Sequence, residues 1–188
     1  MERLARLPLL VAALAGLASA APARATVFLT PARALEEAFP GARCVRRATV
    51  LTEAQAREVQ RRAQVRVTSK LVTEYNAWRG DTLVGTAYFD TRTVRTMPAT
   101  FLVVVRPDST VGRVEILAFH EPPDYQPPRR WLDTFERRRL SERLRPRGDV
   151  RNLSGATLSS RAVAESVRLA LALHAVLPAA SRPAGTSR

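Results

Sequence analysis

The chain has one cysteine, Cys44, and two histidines, His120 and His174. A single cysteine closes no internal disulfide. One thiol and two distant imidazoles also fall short of the four-ligand set of a structural zinc site. Lysine is nearly absent, Lys70 being the only one. There is no Gly-x-Ser-x-Gly elbow, no phosphate-binding P-loop and no Gly-x-Gly-x-x-Gly fingerprint, which removes the usual signatures of serine hydrolases, P-loop nucleotide hydrolases and dinucleotide-binding folds. Glu36 and Glu37 are adjacent and face different ways on a helix, so they are a solvated face rather than an acid–base pair. Beyond the first residues, no apolar run approaches the roughly 20 residues of a membrane span.

What remains is a chain of 188 residues, enough for one ordinary domain. Hydrophobic residues make up 46% of it, which allows a real core. The 30 Lys and Arg outnumber the 17 Asp and Glu, for a net charge of +13. The arginines are spread along the chain rather than clustered, so no nucleic-acid partner is expected. An acidic partner or an anionic membrane surface fits the charge equally well.

Residues 1–25 read as an export signal. Arg3 and Arg6 make a positive start, Leu7 to Ala21 is apolar, and Ala18-Ser19-Ala20 and Ala23-Arg24-Ala25 both fit a small-x-small cleavage site. An uncleaved anchor is the alternative. The expected location is periplasmic or otherwise extracytoplasmic, in a chain of bacterial character. Residues 26–177 form the expected domain, and 178–188 a disordered Ala/Pro/Ser/Arg-rich tail.

Within the domain, Thr30 and Pro31 predict the start of a short helix that runs to Phe39 and stops at Pro40-Gly41. Thr52 and Gln55 form a capping box ahead of a helix from Glu53 to about Ala63. Four β-rich runs follow: Val65 to Trp78, Thr82 to Val94, Thr100 to Arg106 and Val111 to Phe119. Their short turns predict an antiparallel meander. Phe101 to Val105 is apolar throughout and reads as a central strand, and the last run alternates at Val114, Ile116 and Ala118. A proline-rich loop (121–130), a short basic helix (131–139) and a charged connection (144–153) lead to a long helix from about Ser159 to Leu177. The fold class is α+β: an antiparallel meander of about four strands, with N-terminal helices and a long C-terminal helix.

The stretch Asn152-Leu153-Ser154-Gly155-Ala156-Thr157-Leu158-Ser159-Ser160 sits where that helix begins. Gly155 permits a tight turn, Ala156 keeps the surface open, and Thr157 places a hydroxyl beside free helical N–H groups, which favour a phosphate. Ser154, Ser159 and Ser160 add hydroxyl donors. An ordinary Ser/Thr helix cap accounts for the same spacing.

Ser154-Gly155-Ala156-Thr157-Leu158-Ser159 resembles the flavinylation motif of the FMN-binding domain family, which includes covalent-flavin subunits of the Rnf complex and of the sodium-pumping NADH:quinone oxidoreductase. Phe39-Pro40-Gly41-Ala42, Leu51 to Gln55, and His120-Glu121-Pro122 with Tyr125 and Trp131 are more weakly similar to single-domain members. The resemblance implies FMN bound covalently through a phosphodiester to Thr157, with Ser159 matching the last motif position. It implies an exported flavin transferase that uses FAD as donor, and a redox protein or membrane electron-transfer complex as partner. Many members carry an acidic residue just ahead of the motif. Here Asn152 keeps the hydrogen-bonding shape without the charge.

On this reading Arg129, Arg130 and Arg161 are candidates to surround the flavin, Trp131, Tyr125 or Met97 to pack on its ring, and Lys70 to reach a phosphate or ring carbonyl. No residue reads as a dedicated general acid or base, so an electron carrier or redox subunit is expected. The competing reading is a basic exported binding module without cofactor.

Overall fold

The computed structural model describes Thr26–Val27 and residues 29–181. The export signal read over 1–25, and the tail beyond 181, lie outside the described residues. Among the described residues no helix is long and apolar enough to cross a membrane.

Among the described residues, six antiparallel strands form one sheet. Five of them, β2 (Arg43–Val50), β3 (Leu71–Arg79), β4 (Thr82–Val94), β5 (Met97–Val105) and β6 (Val111–Phe119), follow one another as a meander. The two-residue β1 (Thr26–Val27) pairs with the end of β6 and closes the other edge. About four strands were expected. Strand β2 was missed because it is an edge strand. Its exposed Arg43 and Arg46 and half-exposed neighbours give no apolar run, yet all of its eight residues pair with β3. Charged edges of this kind discourage pairing with other chains.

The sheet is covered on both faces. Helix α1 (Pro31–Ala38) packs Ala34 and Leu35, with Phe39, against Ala77, Ala87, Leu102, Val104 and Leu117. Helices α2 (Glu53–Ala63) and α4 (Thr157–Val176) pack on the opposite face over Phe101, Val103, Val105 and Val114. This is why Phe101 to Val105 is apolar throughout: alternate residues of β5 enter different cores. An extra residue, Leu117, lies opposite the Thr100/Phe101 step, where the register shifts. It turns into the α1 core, and Phe119, rather than Ala118, continues the face of Val114 and Ile116.

The caps form as the residues predict. Thr30 Oγ1 accepts from the Arg33 amide. Thr52 Oγ1 accepts from the Gln55 amide at 3.2 Å, and Gln55 Oε1 accepts from the Thr52 amide at 2.9 Å. Other boundaries differ. The run from Val65 becomes a strand only at Leu71, because Gln64 takes a left-handed conformation (φ 50°) and sends Val65 into the core beneath α4. The basic helix expected over 131–139 is a single turn, α3 (Arg129–Leu132), and a 3-10 turn over Asp133–Phe135. It ends at Glu136, which turns extended (ψ 140°), and Arg137 then adopts φ 59°. Helix α4 starts at Thr157, two residues before the expected Ser159.

Candidate functional site

The C-terminal helix is built for the core along most of its length. Val163, Val167, Ala170 and Leu171 are buried against the sheet. Its first turn is different. Gly155 has φ 82°, a conformation L side chains rarely adopt, and turns the chain into Ala156. Ala156 is the N-cap residue, and no side chain caps the helix. Neither Ser154 nor Thr157 supplies the cap that their spacing allowed. The amides of Thr157, Leu158 and Ser159 are therefore the donors that an α-helix leaves without intrahelical partners.

The serines and threonine of the motif do not share one environment. Ser154, Gly155 and Thr157 are exposed, and Ala156 is buried beneath them. Ser159 and Ser160 are buried, and Ser160 Oγ donates to the Thr157 carbonyl at 2.9 Å. The exposed hydroxyls at the start of α4 are thus those of Ser154 and Thr157.

Thr157 stands on the wall of a cleft of about 600 Å³. This is within the size range of small-molecule and cofactor sites. One wall is a stripe of α4 formed by Thr157, Arg161, Ala164, Glu165 and Arg168, spaced so that all lie on one helical face. The second is the loop holding Arg145, Pro146 and Arg147. Leu144 and Val150 anchor that loop in the core, while Arg145 and Arg147 stay exposed. Within it the Asp149 amide donates to the Arg143 carbonyl at 2.8 Å, and Arg143 Nε pairs with Asp149 at 3.0 Å. Arg147 holds φ 66°, a costly conformation for a non-glycine residue, in the cleft wall. Gln64 and Val65, from the end of α2, and Asn152 complete the lining.

Four arginines and one glutamate therefore face the cleft. Glu165 is engaged elsewhere, with Arg92 at 3.1 Å. Arg168 is only 3% exposed. Its Nε donates to the Ala63 carbonyl at 2.6 Å, at the C-terminus of α2, and its Nη1 to the Glu142 carbonyl at 3.0 Å. A cation at a helix C-terminus is favourably placed against the helix dipole. Burial, and then the charge of Arg145, push Arg168 down from the ordinary arginine range. A guanidinium nonetheless stays protonated in proteins. Its Nη2 is buried with no partner among the described residues, as is Asn152 Oδ1.

Of the other candidates, only Arg161 lines this cleft. Arg129 binds Glu115, Asp133 and the Val114 carbonyl. Trp131 is a core residue, edge-to-face with Phe135. Tyr125 lies under the Arg95 guanidinium, 4.5 Å from its ring centroid. Lys70 pairs with Glu53. Arg130 and Met97 are exposed and line no part of the cleft. Reading the sequence missed Arg145, Arg147, Arg168 and Asn152 as cleft residues. Arg168 alone left a signal, the helical spacing it shares with Thr157 and Arg161.

An uncapped helix start, an exposed threonine hydroxyl and an arginine-lined cleft describe a site for an anionic, phosphate-bearing group. Residues 96–172 match the family model of the FMN-binding domain. The chain is similar to the FMN-binding domain family over this segment, which runs from β5 through most of α4 and contains the motif, the arginine loop and the whole α4 wall of the cleft. No curated protein matches the chain. The residues present suit FMN: exposed hydroxyls and free amides for its phosphate, cations around them, and an unpartnered buried donor and acceptor among the lining residues.

Proposed function

We propose that this protein carries FMN on Thr157 through a phosphodiester and works outside the cytoplasm as an electron-transfer flavoprotein. The observation that carries this reading is the placement of Thr157: exposed, first in an uncapped helix, and on the wall of an arginine-lined cleft. An exported flavin transferase with FAD as donor would load it. The Thr157 Oγ–phosphorus bond forms as the pyrophosphate bond of FAD breaks, AMP leaves, and the hydroxyl proton is released.

Each part of the site then has a task. The amides of the first turn and the side chains of Arg145, Arg147 and Arg161 hold the phosphate. The cleft wall between α4 and the 143–150 loop positions the remainder. FMN supplies one- or two-electron chemistry when bound, and the protein supplies attachment, orientation and electrostatics. A tether also keeps the cofactor from being lost outside the cell. The electron partner is a redox protein or a membrane electron-transfer complex.

Intact mass of the mature protein, exported from cells that also express a flavin transferase, tests this reading. Wild type should gain the mass of FMN less one water. Thr157→Ser should keep the gain and Thr157→Ala should lose it. An unmodified wild type, beside a modified control substrate, would overturn the covalent reading and favour a basic binding module.

A further inference from the structure

The two unpartnered buried atoms of the cleft are of opposite kind. Arg168 Nη2 is a donor and Asn152 Oδ1 an acceptor. Native proteins rarely leave such groups unsatisfied without a functional reason. Arg168 has no freedom to relieve its own deficit. Its bonds to the Ala63 and Glu142 carbonyls fix the guanidinium plane, and it is 3% exposed. Among the described residues, the only carboxylate lining the cleft, Glu165, is paired with Arg92.

Position decides what part of a ligand Arg168 meets, and Asn152 lines the same cleft. Arg168 lies about three turns beyond Thr157 on the same stripe of α4, roughly 16 Å along the axis. A phosphodiester on Thr157 Oγ is confined to the first turn, among Arg161 and the free amides. The far end of the tethered group, beyond its ribityl chain, is what reaches deeper. A phosphate would in any case satisfy the donor and leave the acceptor unmatched. An imide, in which an N–H is flanked by carbonyls, matches both.

We propose that Arg168 and Asn152 bind the pyrimidine edge of the flavin ring, with Arg168 Nη2 donating to a ring carbonyl and Asn152 Oδ1 accepting from the imide N–H. This rests on the reading of Thr157 as the tether. It makes the pair positioning residues for the ring and gives Arg168 an electronic role. A fixed cation beside this edge favours the negative charge that reduction places there, and so raises the midpoint potential.

The test uses wild type, Asn152→Ala and Arg168→Gln, each exported with the transferase. Intact mass is measured first, and infrared spectra and midpoint potentials are then read on the loaded fraction. Arg168→Gln should move a ring carbonyl stretch to higher frequency and lower the potential. Asn152→Ala should remove the hydrogen-bond shift of the imide N–H band. Arg168 also ties α4 to α2, so Asn152→Ala decides the matter if Arg168→Gln does not fold. An unchanged imide band in loaded Asn152→Ala overturns the proposal, whatever Arg168→Gln does. A wild type without added mass overturns the tether and this proposal together, and the mass distinguishes that failure from the first.

Discussion

Trp131 donates its indole N–H to the carbonyl of Arg151 at 2.8 Å. Its ring is buried against Phe135, with centroids 5.2 Å apart. A core aromatic thus holds the extended segment that leads into the motif, which is how the position of Thr157 is tied to the body of the domain.

Trp131→Phe keeps one ring and removes the donor. The lost hydrogen bond and the space left by the second ring are expected to cost about 2–3 kcal/mol together, a fall in melting temperature of about 4–12 °C for a domain of this size. Differential scanning calorimetry measures it. An unchanged melting temperature would show that the Arg151 carbonyl finds another donor, and the core closes over the space, at no cost.

A polar clasp joins the sheet to α4 beside the cleft. Ser166, fully buried, donates to Asp90 Oδ2 at 2.6 Å and accepts from Arg92 Nε at 3.0 Å. Arg92 bridges Asp90 and Glu165. Ser166→Ala leaves both partners short and is expected to cost about 1–3 kcal/mol. In a double-mutant cycle with Asp90→Ala the two losses should be less than additive. Strict additivity in chemical denaturation would show that the two do not act together.

Glycines 148 and 155 should respond for different reasons. A Cβ on Gly148 would lie 2.2 Å from the Arg143 carbonyl oxygen, so Gly148→Ala must displace the loop that carries Arg145 and Arg147. Around Gly155 there is open space, and only its φ of 82° resists a side chain. Gly155→Ala should therefore cost about 1–2 kcal/mol of backbone strain, with the cleft loop undisturbed. Amide exchange should show faster exchange at Asp149, whose N–H bonds to Arg143, in Gly148→Ala alone. Equal exchange in both variants would contradict this.

His174 makes stability depend on pH. It lies edge-on to Tyr88, whose hydroxyl is 3.5 Å from Nδ1, and Tyr88 donates to Glu74, the partner of Arg47. Burial holds the imidazole below its ordinary value of 6.5, against the opposing pull of Glu74. As pH falls, the unfolded chain takes the proton first. The contribution is complete above about 6.5 and is lost as pH falls through the lower folded value. Melting temperatures at pH 7.5 and 5.5 should fall further apart in wild type than in His174→Gln. Equal differences in both would sink this assignment.

Parts of the architecture were legible because they rest on local rules. The capping box of Thr52 and Gln55 forms as spelled, since both bonds lie within one turn. The apolar run from Phe101 to Val105 marked a strand covered on both faces, because no residue of it tolerates water. Strand β2 was illegible for the converse reason: an edge strand can be read as a loop when its side chains are arginines facing solvent. The basic helix after Trp131 failed because Glu136, with ψ 140°, already leaves the helical region of backbone space.

The sequence alone determined the motif Ser154 to Ser159, its place at the head of the last helix, and the similarity of residues 96–172 to the FMN-binding domain. These are contiguous features, and adjacency along the chain is enough to express them. Only the tertiary structure decided which hydroxyls stay exposed and what surrounds them. Ser159 and Ser160 turn inward because helix α4 buries the face on which they lie. Arg145, Arg147, Asn152 and Arg168 line one cleft with Thr157 because α2, the 143–150 loop and α4 pack on the same face of the sheet, and a packing contact between distant segments has no spacing by which a sequence could announce it.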